Sequence, residues 1–308
     1  MLLCHGVAGN ARHMDLDDQH SLARYLAARG FDAWVLSLRG TGQQFFPADS
    51  ATQGAPDDNT TIDTYASQDL PAAIAEVKKR THAPRVSVIA HSMGGMVTYA
   101  HLALTGGPDL ASIVTLGSPG KLRLGAKAEK FIVENGSGIA SKVLLVPNAD
   151  IGRVAGKTEG VGARSAVDVL AGNPPENTSF ESLGRLLRVG SADTPGGVVR
   201  QFQRCLAADS FVSADGATDY LPLLAKVKVP ALVVAGKDDR IVLADGVKAG
   251  YEALGGEKEL LVIGEESGAR ADYGHADLII GDRAPTEVWA KVAWFLGAHD
   301  AQAPAGAP

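Results

Sequence analysis

Six apolar runs constrain this chain more than any other feature: LLCHG, FDAWVLSLRG, RVSVIAHS, ASIVTLGSP, PALVVAGKDD and KELLVIGEE. Each is continuous rather than alternating, and each is bounded by turn residues. A strand with one wet face alternates apolar and polar side chains, whereas a strand covered on both faces has no such need. The runs therefore predict parallel strands buried on two sides. Helical patterns lie between them. LDDQHSLARYLAARG is expected to end on Gly30 as a C-terminal cap, and YASQDLPAAIAEVKKRTHAP gathers Lys78, Lys79 and Arg80 where cations meet the negative end of a helix dipole. Strand and helix in alternation point to an α/β fold, a mostly parallel sheet with helices on both faces.

The alternation fails between about Lys121 and Lys228. This stretch holds the helical pieces GAKAEKFIVENG and FESLGRLLRVG, the strand-like KVLLVP and several turn clusters. It far exceeds the roughly 12–15 residues beyond which structureless loops become uncommon. Residues 121–228 are thus expected to form a mainly helical cap, inserted between a first core part (1–120) and a second (229–298). The second part closes with PTEVWAKVAWFLGA, which places Pro285 near the first turn and Val288, Trp289, Val292, Phe295 and Leu296 on one face. Residues 299–308 read as a disordered tail.

Of 308 residues, 45% are hydrophobic and 21% charged, with a net charge of −6, so a sizeable core is expected and no basic footprint for nucleic acid. No run approaches the ~18 apolar residues of a membrane span. Cys4 and Cys205 lack any paired spacing and read as buried free thiols, and no metal site is signalled. The N-terminus has no basic, signal-like region, which favours a cytoplasmic location. Met1 nevertheless falls directly inside a strand-like run, the pattern of a start internal to a longer chain, and that leaves secretion open. No motif speaks to oligomeric state.

The chemistry centres on VSVIAHSMGGMVTYAHLAL, residues 86–104. Ser92 stands where the apolar run stops and a helix begins. A turn tight enough to lift that side chain clear of the sheet needs small residues two before and two after it. Here they are Ala90 and Gly94, so the pattern is G-x-S-x-G with alanine for the first glycine. Helix onset at Met93 aims backbone N–H groups at any anion formed beside Ser92. A serine at such a junction can also be a simple N-cap, and the rest of the chain decides between the two. Asp238 and Asp239 follow PALVVAG, and His275 follows Tyr273-Gly274 after the next strand. Nucleophile, acid and histidine thus arise in order from successive strand ends. His91 reads as a packing residue, because neighbours at such a turn point apart. Asp277 reads as a helix-start or loop residue. His13, His20, His82, His101 and His299 have no motif context and read as surface, helix or tail residues.

His5-Gly6, the AHSMGG elbow, the GKDDRIV acid loop and YGHAD together resemble the α/β-hydrolase fold family, in particular its lipase- and esterase-like members. The resemblance covers nearly the whole chain outside the cap. It implies that the backbone N–H groups of Val7 and Met93 form an oxyanion hole, that His5 and Gly6 shape that loop, and that no metal or organic cofactor takes part. The family spacing G-x-x-D, counted from Gly236, falls on Asp239, with Asp238 as the alternative acid. The implied activity is hydrolysis of carboxylic esters of a small-molecule or lipid-like substrate by a Ser-His-Asp triad. Acyl transfer or polyester depolymerisation by the same triad is the alternative, and a non-catalytic binding protein of this fold is a further one. Such proteins usually carry two strands before the HG strand. This chain begins on it, so the first strands of the usual sheet are expected to be missing, leaving an apolar edge.

Overall fold

The computed structural model describes residues 1–41, 58–134 and 176–299. Six strands form one sheet: β1 (Leu2–Cys4), β2 (Trp34–Leu36), β3 (Val86–His91), β4 (Leu110–Leu116), β5 (Ala231–Gly236) and β6 (Lys258–Ile263), in the order β2-β1-β3-β4-β5-β6. Every pairing is parallel. Cys4 lies opposite Ala90 and His91 opposite Leu116, so the strands end together and their following residues share one carboxyl edge. This is the edge where open α/β sheets bind ligands.

The continuous apolar runs are divided by the period of two. Val88, Ala90, Ile113, Val233 and Ala235 face one core, while Ile89, Val114, Leu116, Leu232 and Val234 face another. The first core is covered by α2 (Leu70–Thr81), α3 (Met93–Thr105) and α7 (Ala244–Ala253), the second by α1 (Leu22–Ala27) and α8 (Trp289–His299). Strands β1, β3, β4 and β5 are buried throughout, but the outer strands β2 and β6 are largely half-buried, because nothing pairs beyond them among the described residues.

Several helices differ from their sequence patterns. α1 starts only at Leu22, where the Ser21 side chain caps the Arg24 N–H, and the preceding residues 15–20 turn around Asp17 instead. The last helical pattern breaks at Val288, giving a short Ala284–Glu287 turn before α8. Between β4 and β5 lie α4 (Ala126–Glu134), α5 (Phe180–Gly190) and α6 (Gly196–Ala208). KVLLVP and residues 300–308 fall outside the described residues. No helix among the described residues is long and apolar enough to cross a membrane.

Candidate active site

Ser92 follows the last residue of β3, and α3 starts at Met93. Its backbone adopts φ 55° and ψ −122°, outside the regions that L residues favour. Close approach of neighbouring chain segments holds it there. The Ser92 N–H donates to the Leu116 carbonyl at 2.9 Å, and the Gly95 N–H to the Ser92 carbonyl at 3.0 Å. A Cβ at position 94 would lie 2.6 Å from the His5 carbonyl oxygen and 2.8 Å from that of Cys4. One at position 95 would lie 2.1 Å from Ser118 Oγ. The two glycines at the helix start are therefore steric requirements of seating α3 against β1 and the β4 loop.

The Ser92 hydroxyl lies 2.9 Å from His275 Nε2, and His275 Nδ1 lies 2.7 Å from Asp239 Oδ2. The other carboxylate oxygen of Asp239 accepts from the Ile241 and Val242 N–H groups, each at 2.9 Å. All three side chains are buried. A carboxylate facing Nδ1 places the ring proton there and leaves the Nε2 lone pair for the serine hydroxyl. Asp238 stands outside this chain of bonds, paired at the surface with Arg240 at 2.6 Å. Gly117, with φ 58°, backs onto the His275–Asp239 pair, and a Cβ there would sit 3.2 Å from His275 Nδ1.

The loop after β1 meets this elbow. A Cβ on Gly6 would lie 2.9 Å from Ser92 Cβ, so Gly6 lets the loop rest on the serine. Val7 packs half-buried against the core, Met93 is buried at the start of α3, and Ala90 is fully buried beneath. His5 accepts the Leu38 N–H at Nε2 (3.2 Å), which puts its proton on Nδ1, 2.8 Å from the Gly6 carbonyl. It braces the Gly6 loop against the loop after β2, and burial pulls its pKa down to about 4.

A profile of the alpha/beta hydrolase fold matches residues 1–281. The chain belongs to the α/β-hydrolase fold family. Solved structures similar to it include a thermophilic esterase from Thermogutta terrifontis (17% identity, TM-score 0.60, 97% of this chain and 89% of that one). A lipase-esterase related protein from Clostridium acetobutylicum is similar at 14% identity and TM-score 0.59, covering 96% and 93%. So is a protein described as a candidate non-heme bromoperoxidase from Mycobacterium tuberculosis H37Rv, at 17% and TM-score 0.61, covering 97% and 92%. No curated protein matches.

Around this α/β-hydrolase site the structure gathers residues that the sequence pattern passes over. His91 donates from Nε2 to the His275 carbonyl oxygen at 3.1 Å, and its ring lies 4.6 Å from that of His275. His13 is no isolated surface histidine, since its ring lies 6.4 Å from both His5 and His91 and bonds the Gly190 backbone. Burial lowers the pKa of His13 to about 3 and that of His91 well below the usual imidazole value. His20 and His101 are also buried, the first between Asp17 and Asp282, the second against the Ala66 carbonyl. Only contacts between distant segments explain these positions, and a local motif carries no trace of them. Among the described residues no three His, Cys, Asp or Glu side chains group so as to hold a metal ion.

Proposed function

We propose that this α/β-hydrolase-fold protein is a serine hydrolase of small-molecule or lipid-like carboxylic esters, with Ser92 as nucleophile, His275 as general base and Asp239 as its orienting acid. The observation that carries the reading is the unbroken hydrogen-bond chain from Ser92 Oγ through His275 to Asp239. His275 Nε2 takes the hydroxyl proton as Ser92 Oγ attacks the acyl carbonyl, and the Asp239 carboxylate stabilises the imidazolium that forms. The imidazolium then returns the proton to the leaving alcohol as the C–O bond breaks. Water attacks the acyl-enzyme by the same path and releases the acid. The N–H groups of Val7 and Met93 are assigned to the developing oxyanion, a contribution of about 3 to 4 kcal/mol per donor in such sites. Esterases among the solved structures of this fold agree with the reading.

The test is hydrolysis of a short-chain p-nitrophenyl ester, with labelling of Ser92 by a fluorophosphonate. Ser92→Ala is expected to keep its fold and lose roughly 10⁵- to 10⁶-fold in kcat. Undiminished turnover in the folded variant refutes the assignment. A folded wild-type protein that neither labels nor hydrolyses is a binding protein instead, and ester products formed with an added alcohol reveal acyl transfer.

A further inference from the structure

His275 sits on a loop between β6 and the short helix Asp277–Ile280, so its position is set by whatever fastens that loop. Asp277 is fully buried two residues beyond it, and its carboxylate is surrounded by donors. Oδ2 accepts the Gly274 N–H at 2.7 Å and Asn177 Nδ2 at 3.3 Å, and Oδ1 accepts the Thr178 hydroxyl at 2.5 Å. Asn177 also donates from Nδ2 to the Asp272 carbonyl at 2.6 Å and accepts the Asp282 N–H on its own carbonyl at 2.8 Å. Asn177 and Thr178 belong to the long β4–β5 connection, just before Ser179 caps α5. Residues 272 to 282 are thus gripped from one side by a segment a hundred positions away in sequence.

We propose that Asp277 is a positioning residue for the reaction, which, by binding Gly274 on one side and Asn177 and Thr178 on the other, holds His275 at Ser92. This rests on the reading of Ser92, Asp239 and His275 as a triad. Asp277 opens the short helix, as its sequence position suggests, but its carboxylate bonds the backbone of Gly274, on the N-terminal side of His275, so the bond also closes the loop around the histidine. The companion bond from His91 to the His275 carbonyl fastens the same loop from the β3 side. All three donors to Asp277 require an acceptor, which the ionised carboxylate is and the neutral acid is not in full. Burial raises its pKa to about 6, with the Asp239 charge adding to the effect, while Tyr273 and His275 are its titratable neighbours on the loop. Because the buried carboxyl binds a proton more readily than an exposed one, protonation does not by itself release the grip; the bonds to Gly274, Asn177 and Thr178 carry it.

The experiment measures kcat and KM on a short p-nitrophenyl ester for wild type, Asp277→Asn and Thr178→Val, with circular dichroism as a check on folding. Both variants are expected to lower kcat, Asp277→Asn by roughly 10- to 100-fold, since small displacements of a catalytic group are costly, with KM within twofold. A kcat within twofold of wild type in both variants, or a loss that appears in KM with kcat kept, overturns the proposal. If Asp277→Asn does not fold, Thr178→Val decides. A wild-type protein with no hydrolysis and no Ser92 labelling fails the triad reading itself, which is a different result from an active wild type with indifferent variants.

Discussion

On the β1–β3 side of the site, Ser92 and the Gly6 loop are fixed by steric fit. Gly6, Gly94 and Gly95 each leave less room than a methyl group needs, and the obstacles at Gly94 are backbone carbonyls that cannot step aside. On the β5–β6 side, the acid and the histidine are fixed by hydrogen bonds. Asp239 is held by two N–H groups after β5, and the His275 loop by Asp277, Asn177, Thr178 and His91. A nucleophile must meet the substrate at one fixed point, and close packing gives that rigidity. In the proposed mechanism the histidine accepts and returns a proton while its charge changes, and a polar bed that reorganises little serves that better than a steric vice.

The largest effect is expected where the polar side is broken without disturbing the packing. Asp239→Asn keeps the shape but presents a donor or a weak acceptor to His275 Nδ1, favouring the wrong tautomer. A loss of about 10⁴ in kcat is expected, as for such acids generally, with little change in melting temperature. Asp238→Asn, one residue away but paired outward with Arg240, is expected to stay within twofold of wild type. Steady-state kinetics on the two purified variants checks both, and a reversed pattern moves the acid to Asp238.

Breaking the steric side has the opposite signature. Gly94→Ala drives a methyl group toward the His5 and Cys4 carbonyls, so β1 and α3 must separate. A stability loss of about 4 kcal/mol is expected, above the usual 1–3 for overpacking because the obstacles are backbone atoms. Urea unfolding measures it. A variant that stays as stable as wild type but loses activity shows the elbow to be softer than the contacts indicate.

The same division explains what the sequence makes legible. The elbow is a local device: Ala90, Ser92, Gly94 and Gly95 lie within six positions, and the steric reason for each residue can be read from a strand followed by a helix. The sheet is legible too, because a strand buried on both faces writes its environment into a continuous apolar run. The grip on His275 is not, since Asn177 and Thr178 lie about a hundred residues from Asp277 in a stretch with no motif, and any buried polar pair can satisfy an aspartate. His13 is invisible for the same reason. The boundaries of α1 and α8 shift because Ser21 and Val288 act through capping and a local backbone break, which outweigh the apolar spacing that suggested longer helices.

Acid sharpens the comparison further, because the two sides respond with opposite sign. His5 braces the Gly6 loop as a neutral ring, and its pKa of about 4 in the fold lies below the ordinary 6.5. The unfolded chain binds the proton first, so the stability this histidine contributes is present above pH 6.5 and lost as pH falls toward 4. Between pH 7 and 5 the loss from His5 alone is about 2 kcal/mol. His13 and His91, also depressed by burial, act in the same direction. Asp277, raised to about 6 against an ordinary 3.8, binds its proton more readily in the fold, and over the same interval it contributes about 1 kcal/mol the other way. The protein is therefore expected to lose stability on acidification, with the loss moderated by Asp277. Urea unfolding at pH 7 and pH 5 measures the slope. In Asp277→Asn the moderating group is gone, and the drop between the two pH values is expected to grow by about 1 kcal/mol. An unchanged or shallower drop in that variant removes Asp277 from the balance, leaving the buried histidines as the source of the pH dependence.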